Sequence, residues 1–110
     1  MKDVFHRTLG HLKENLQDKS DYLNEVSDQF LQSKNLHMMD PGLKLLVAKK
    51  IGTLRHNLNE SIDFANAPHR ITPELLQEIG KKLSDGCEIT KEISVIRKVS
   101  TTTQEFNRFL

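Results

Sequence analysis

Histidine is the most versatile residue type in this sequence, and the 110 residues contain five histidines. His6 and His11 are five positions apart, which places them on different faces of a helix. His56 and Glu60 are four positions apart and share a helical face, yet two ligands do not complete a metal site. The spacing therefore predicts solvated or capping histidines, with no bound metal and no cofactor. The remaining two histidines are His37 and His69.

Motifs for nucleophilic catalysis or phosphate binding are equally sparse. Cys87 is the one cysteine, so no intrachain disulfide can form and we expect a reducing compartment. Asp85 and Glu88 lie beside it, and their negative charge opposes formation of a thiolate. The five glycines are scattered singly rather than gathered in a phosphate-binding loop. We predict a cytoplasmic protein that is not an enzyme and has no evident small-molecule substrate.

Residues 54–62 read Leu-Arg-His-Asn-Leu-Asn-Glu-Ser-Ile. This segment resembles the phospho-acceptor box of sensor histidine kinases, in the variants that read Arg-His-Asp or Arg-His-Asn. In that family a helical hairpin dimerises into a four-helix bundle and presents such histidines to a partner. The resemblance implies an alternative function, a histidine phosphotransfer or dimerisation hairpin with His56 as phospho-acceptor. Glu60 stands where the family has Asn or Thr, and the sequence carries no ATP-binding domain after the segment.

An apolar stripe runs along the first third of the chain. Its members are three or four positions apart, as in a heptad repeat, and Lys19 fills the one missing step. Such a stripe keeps facing one partner when helices wind around each other, so we predict a coiled-coil-like helix over about residues 3–34. We call the stripe the seam and predict that it is the interaction surface. The seam comprises Phe5, Leu9, Leu12, Leu16, Lys19, Leu23, Val26 and Phe30.

Two further helices each begin at a capping residue followed by a proline. Asp40 and Thr72 stand directly before prolines, and both are residue types that accept a hydrogen bond from the first turn of a helix. Apolar residues then recur at helical spacing, which predicts helices over about residues 41–66 and 73–109. Leu46 is expected to widen the apolar stripe of the second helix, together with Phe64.

The third helix contains an interruption at Gly86. Asp85 could cap a new helix there, with Glu88 completing a capping box. Alternatively, one long helix could tolerate a stutter in its apolar pattern. The continuous helix is favoured, because the only residue here that argues for a break is a single glycine, and no proline accompanies it.

Three helices joined by short turns predict an all-α fold, an antiparallel three-helix bundle in one domain over residues 1–110. The alternative is a four-helix bundle, with the third helix broken near Gly86. Hydrophobic residues make up 36% of the chain, and no apolar run is long enough to span a bilayer. The first helix is predicted to be longer than the second, so part of the seam should lie bare until a partner covers it.

Charge gives little indication of a nucleic-acid or membrane partner, because the net charge is only +1. We therefore predict a non-enzymatic helical protein–protein interaction module, such as a small subunit, adaptor, chaperone or regulator. It would bind another protein or itself through the seam, with homo-oligomers included and no membrane partner. Nucleic-acid binding through the basic middle helix is a second alternative. The basic residues of that third of the chain are Lys44, Lys49, Lys50, Arg55 and Arg70.

Overall fold

The computed structural model describes residues 2–33 and 39–108, and for residues 102–108 it describes the backbone alone. It contains three helices, α1 (Lys2–Leu31), α2 (Pro41–Asn66) and α3 (Pro73–Arg108). No strand occurs within these ranges, and the predicted all-α three-helix fold is confirmed. The helix α1 ends at Leu31, and the bounds of α2 agree with the prediction. The predicted ends at residues 34 and 109 lie outside the described ranges.

Local chemistry explains where the helices begin and end. The side chain of Asp40 accepts a hydrogen bond from the Leu43 N–H at 3.0 Å, and the Thr72 hydroxyl accepts one from the Leu75 N–H at 3.1 Å. Both predicted N-caps are thereby confirmed. The helix α2 stops because Ala67 precedes a proline and adopts an extended backbone, with a ψ angle of 151°.

The helices run up, down and up. The helix α1 packs along both other helices, whereas α2 and α3 meet each other more sparsely. The bundle is elongated, 60 Å by 19 Å by 17 Å. Each pair of helices is linked by a polar contact: Tyr22 Oη with Ser94 Oγ (3.2 Å), Arg55 Nη2 with Asn24 Oδ1 (3.3 Å), and Lys50 Nζ with Glu92 Oε1 (2.9 Å).

One hydrophobic cluster joins the three helices. Leu12 of α1 and Ile79 and Ile93 of α3 are completely enclosed, and Leu54 and Leu58 of α2 are nearly so. The helix α3 continues without a break through Gly86, so the four-helix alternative is wrong. This three-helix core positions the side chains discussed below.

Candidate interaction surface

The predicted interaction seam lies inside the chain's own core. Leu9 and Lys19 are half-buried, and the six other seam residues are buried. The expectation that part of the seam lies bare is therefore wrong, because α2 and α3 together cover the whole length of α1. An outside partner could reach the seam only by displacing one of these helices. The buried members are Phe5, Leu12, Leu16, Leu23, Val26 and Phe30.

Lys19 occupies its place in the seam by packing against a glycine. Its Cε atom lies 2.8 Å from the position that a Cβ atom on Gly86 would occupy. Its ammonium group donates a hydrogen bond to the side-chain oxygen of Asn15 at 2.9 Å. The methylenes of the lysine are thus packed between helices while its charge stays at the surface.

His56 is exposed in the middle of α2, where its imidazole meets one carboxylate. The Nε2 atom lies 3.1 Å from Glu60 Oε1, and the two side chains are 70% and 68% exposed. The interpretation of His56 as a residue that points away from the core agrees with this position. No third metal-binding side chain joins the pair, and the side chains described over residues 2–33 and 39–101 include no group of three that could bind a metal ion.

His69 has a structural role at the end of α2. Its Nε2 atom donates a hydrogen bond to the Phe64 carbonyl at 2.6 Å, and the two rings lie 4.6 Å apart. This is the capping role expected for a histidine near a helix C-terminus. His6 packs edge-on against Phe5, and His37 lies outside the described residues.

Cys87 is exposed on α3, and its thiol lies 3.9 Å from the carbonyl oxygen of Leu83. Asp85 and Glu88, its acidic neighbours in the sequence, are also exposed. Within the described part of the chain, the thiol's hydrogen-bond partner is the Leu83 carbonyl oxygen.

Apolar side chains that the bundle leaves exposed are the most informative surface feature. Leu46 is 64% exposed, so the prediction that it widens the core stripe of α2 is wrong. A helix turns by about 100° per residue, so Leu46 lies to one side of Val47, which is buried in the core. Phe64, the other residue predicted to widen the stripe, is half-buried against the core. The other exposed large apolar residues of the described chain are Val4, Leu31, Leu45 and Val95.

Leu46 and Val95 are both exposed, on the neighbouring helices α2 and α3. Leu46 is one turn before Lys50 on α2, and Val95 is one turn after Glu92 on α3. Because Lys50 and Glu92 form an ion pair between antiparallel helices, these two turns lie toward the same end. We call this outer surface the α2–α3 face. It comprises Leu46, His56 and Glu60 of α2 and Lys81, Glu88 and Val95 of α3.

A polar cleft of about 340 Å³ opens between α1 and α3 near the end of α1. The hydrogen bond with Ser94 lowers the pKa of Tyr22, and Arg97, which also lines the cleft, lowers it further. Burial and Glu25 oppose this effect on the pKa. The lining residues are Gln29, Gln32, Arg97, Ser100 and Thr101.

The basic residues of the middle third are partly engaged within the bundle. Lys50 forms the ion pair with Glu92, and Arg55 donates to Asn24. These two side chains are held against neighbouring helices.

Comparison with known proteins gives no match: no family model, curated protein or solved structure corresponds to this chain. Among the described residues, no helix has both the length and the apolarity needed to cross a membrane.

Proposed function

We propose that this chain is a non-enzymatic helical protein–protein interaction module, acting as a small subunit, adaptor, chaperone or regulator. The observation that carries the proposal is the exposure of Leu45, Leu46 and Val95 on neighbouring helices. Fully burying one such side chain contributes about 1.5–3 kcal/mol, so a partner that covers this surface gains free energy. Larger exposed apolar patches are typical of protein–protein binding surfaces.

The mechanism of binding is helix packing on the outside of a preformed bundle. The seam already stabilises the fold, which leaves the α2–α3 face to contact a partner. Its leucine and valine supply the apolar area, and its charged residues select the partner and the register. An exposed, unpaired Cys87 suits a reducing compartment, so we place the module in the cytoplasm.

Site-specific photo-crosslinking in the native cell tests this proposal. A photoreactive residue at position 46 or 95 should give discrete covalent adducts with another protein or with a second copy of the chain. The matched control is position 4, because Val4 is similarly exposed but lies on α1. Adducts that are equally frequent at all three positions would contradict the proposal.

Histidine phosphotransfer is the second candidate, and the exposure of His56 favours it. When Nε2–H donates to Glu60, the neutral imidazole keeps its lone pair on Nδ1. That nitrogen would attack the phosphorus of an aspartyl phosphate on a receiver domain, and the aspartate carboxylate would leave. The carboxylate of Glu60 would stabilise the positive charge that develops on the ring.

Incubation with phosphorylated receiver domains separates the two candidates. An acid-labile phosphate that appears on the wild type and disappears with His56→Gln would favour phosphotransfer. The interaction module predicts no such phosphate. Because His56 is largely exposed, His56→Gln should change the free energy of unfolding by no more than about 0.5 kcal/mol, which makes it a clean variant.

A further inference from the structure

Lysines surround the exposed apolar residues of the α2–α3 face. Residues three or four positions apart are neighbours on the surface of a helix. By this spacing, four of the five charged neighbours of Leu46 and Val95 are lysines. The surface beside these two residues is therefore basic, although the whole chain has a net charge of only +1. The five neighbours are Lys49, Lys50, Lys91, Glu92 and Lys98.

Two of these lysines have no carboxylate beside them. Lys50 is paired with Glu92, and the Lys91 ammonium lies 3.2 Å from a carboxylate oxygen of Glu88. Lys49 and Lys98 are exposed and take part in no ion pair within the described ranges. An excess of positive charge is thus open to solvent next to the exposed apolar residues.

The order of residues around α2 places a lysine outside Leu46. The Lys50–Glu92 ion pair marks the flank of α2 that faces α3. At about 100° per residue, Leu46 lies about 40° from Lys50, on the side away from buried Val47. Lys49 lies about 100° from Lys50 in the same sense. From the core outward, α2 therefore presents the ion pair, then a leucine, then a free lysine.

The same order is found on α3. Val95 lies about 60° from Glu92, on the side away from buried Ile96. Lys91 and Lys98 lie about 100° and 120° from Glu92 in the same sense. The groove between the two helices therefore has the ion pair at its floor and an apolar residue on each wall. We call Lys49, Lys91 and Lys98 the rim lysines, because they lie outside the apolar residues on both helices.

A helix laid in this groove needs a particular pattern of side chains. Its apolar stripe would contact Leu46 and Val95, as amphipathic helices do in apolar grooves. Residues on both edges of the stripe would then meet the rim lysines. Carboxylates at those edges are attracted, whereas basic residues there are repelled. The complementary partner is an amphipathic helix with acidic edges.

The acidic surface of the chain itself does not have this pattern. It lies on α1, where the acidic residues between positions 14 and 28 are all exposed. No large apolar residue is exposed over the same stretch. A second copy would therefore bring the charge without the apolar stripe. The acidic residues are Glu14, Asp18, Asp21, Glu25 and Asp28.

We propose that the groove between α2 and α3 binds an acidic amphipathic helix of another protein. The inference rests on the proposed function and specifies the chemistry of the partner. Leu46 and Val95 contact the apolar stripe of the bound helix, and the rim lysines contact its carboxylates. The apolar contact is small, so we expect affinity in the micromolar range.

Titration of the full chain with a defined peptide tests the proposal. The probe is a synthetic helix of about 14 residues, with leucines along one face and glutamates on both edges of that face. The matched control peptide has lysine in place of every glutamate. In NMR spectra, the acidic peptide should shift the methyl signals of Leu46 and Val95 to saturation and leave those of Val4 unchanged. The basic peptide should shift none of them.

Charge reversal at the rim tests the electrostatic part. Lys49→Glu and Lys98→Glu should each raise the dissociation constant of the acidic peptide about threefold to tenfold. Lys13→Glu is the control, because it makes the same change in net charge at an exposed position of α1. At physiological salt, screening limits such effects to close neighbours, so this control should leave the dissociation constant unchanged.

Replacement of the apolar residues tests the other part. Leu46→Gln and Val95→Gln should each raise the dissociation constant about tenfold, as expected at the centre of an interface. Val4→Gln makes the same kind of change at a similarly exposed position of α1 and should have no effect. Circular dichroism of every variant shows whether the fold is retained.

Equal binding of the acidic and basic peptides, or no binding of the acidic peptide, would overturn the proposal. So would tighter binding to vesicles of phosphatidylcholine and phosphatidylserine than to the peptide. A solution mass above 12.7 kDa, with shifts of Leu46 and Val95 on concentrating the chain alone, would show that a second copy occupies the groove instead. The proposed function fails separately. If the acidic peptide does not bind but position 46 still crosslinks another protein, the interaction module is retained and the acidic partner is excluded.

Discussion

Lys19 of α1 lies across Gly86 of α3, with its Cε atom 2.8 Å from where a Cβ atom on residue 86 would be. The lysine methylenes fill the space that the glycine leaves, and the ammonium reaches Asn15 at the surface. This contact connects the two irregular positions of the sequence, the polar residue in the seam and the glycine within α3. The missing side chain of Gly86 leaves room for the long side chain of Lys19.

Replacing glycines within α3 should distinguish an open position from a close contact. Gly80→Ala meets no atom within 4 Å and should raise the free energy of unfolding by about 1 kcal/mol, through helix propensity. Gly86→Ala should gain clearly less, because the new methyl group must displace the end of Lys19. Urea denaturation measures both values. Equal increases in the free energy of unfolding would show that Lys19 can move away from residue 86 without loss of stability.

Lys19→Leu should stabilise the fold by about 1–2 kcal/mol, because leucine adds apolar area at a half-buried position of the core. The lost hydrogen bond to Asn15 is at the surface and contributes little. Thermal and urea denaturation measure the change. Since position 19 lies within the bundle, the variant should have the same mass in solution as the wild type. A change in that mass would contradict the position of Lys19 inside the bundle.

The helices could be predicted because their signals are local. Asp40 and Thr72 cap α2 and α3 as their types and positions indicate, and the proline after Ala67 ends α2. The apolar spacing also identified the seam of α1 as a surface that must be covered. What covers it depends on contacts between distant parts of the chain, which the spacing within one helix does not contain.

The exposed surface was harder to predict for a related reason. Leu45, Leu46 and Val47 are consecutive, and a helix can direct only some of them inward. The structure buries Val47 and leaves both leucines in water, which depends on how α2 is rotated against its neighbours. Val95 is likewise exposed although it lies between core residues Ile93 and Ile96. Neither exposure follows from residue type.

Truncating a core residue should lower the stability of the fold much more than truncating an exposed residue close to it in the sequence. Ile93 is fully enclosed, so Ile93→Ala should lower the free energy of unfolding by about 2–5 kcal/mol. Val95→Ala, two positions away, should lower it by no more than about 0.5 kcal/mol. Denaturation in urea compares them. Similar losses would contradict the rotation of α3 described here.

Tyr22 is the only tyrosine, which makes its titration directly visible in the phenolate absorbance. The hydrogen bond from Ser94, assisted by Arg97, lowers its pKa below the ordinary 10.0. Ser94→Ala should raise this pKa toward 10.0, and Arg97→Gln should raise it less. An unchanged titration curve in Ser94→Ala would show that the contact between α1 and α3 is absent in solution.

The same shift in the pKa of Tyr22 predicts how this residue affects stability. A pKa that is lower in the folded chain means that folding favours the phenolate. The stabilising contribution is fully present above pH 10.0, where the unfolded chain is also ionised, and is lost as the pH falls through the folded pKa. The difference in unfolding free energy between wild type and Ser94→Ala should therefore increase with pH across this range.

The most direct test of the interaction module is the solvent exposure of methyl groups, measured by NMR with a soluble paramagnetic probe. The isotope-labelled chain would be compared as a dilute pure sample and in an extract of its native cell. The account predicts that the methyl groups of Leu46 and Val95 are relaxed by the probe in the dilute sample and protected in the extract. Val4 should remain exposed in both, and seam residue Leu12 should be protected in both. Equal exposure of Leu46, Val95 and Val4 in the extract would contradict the account.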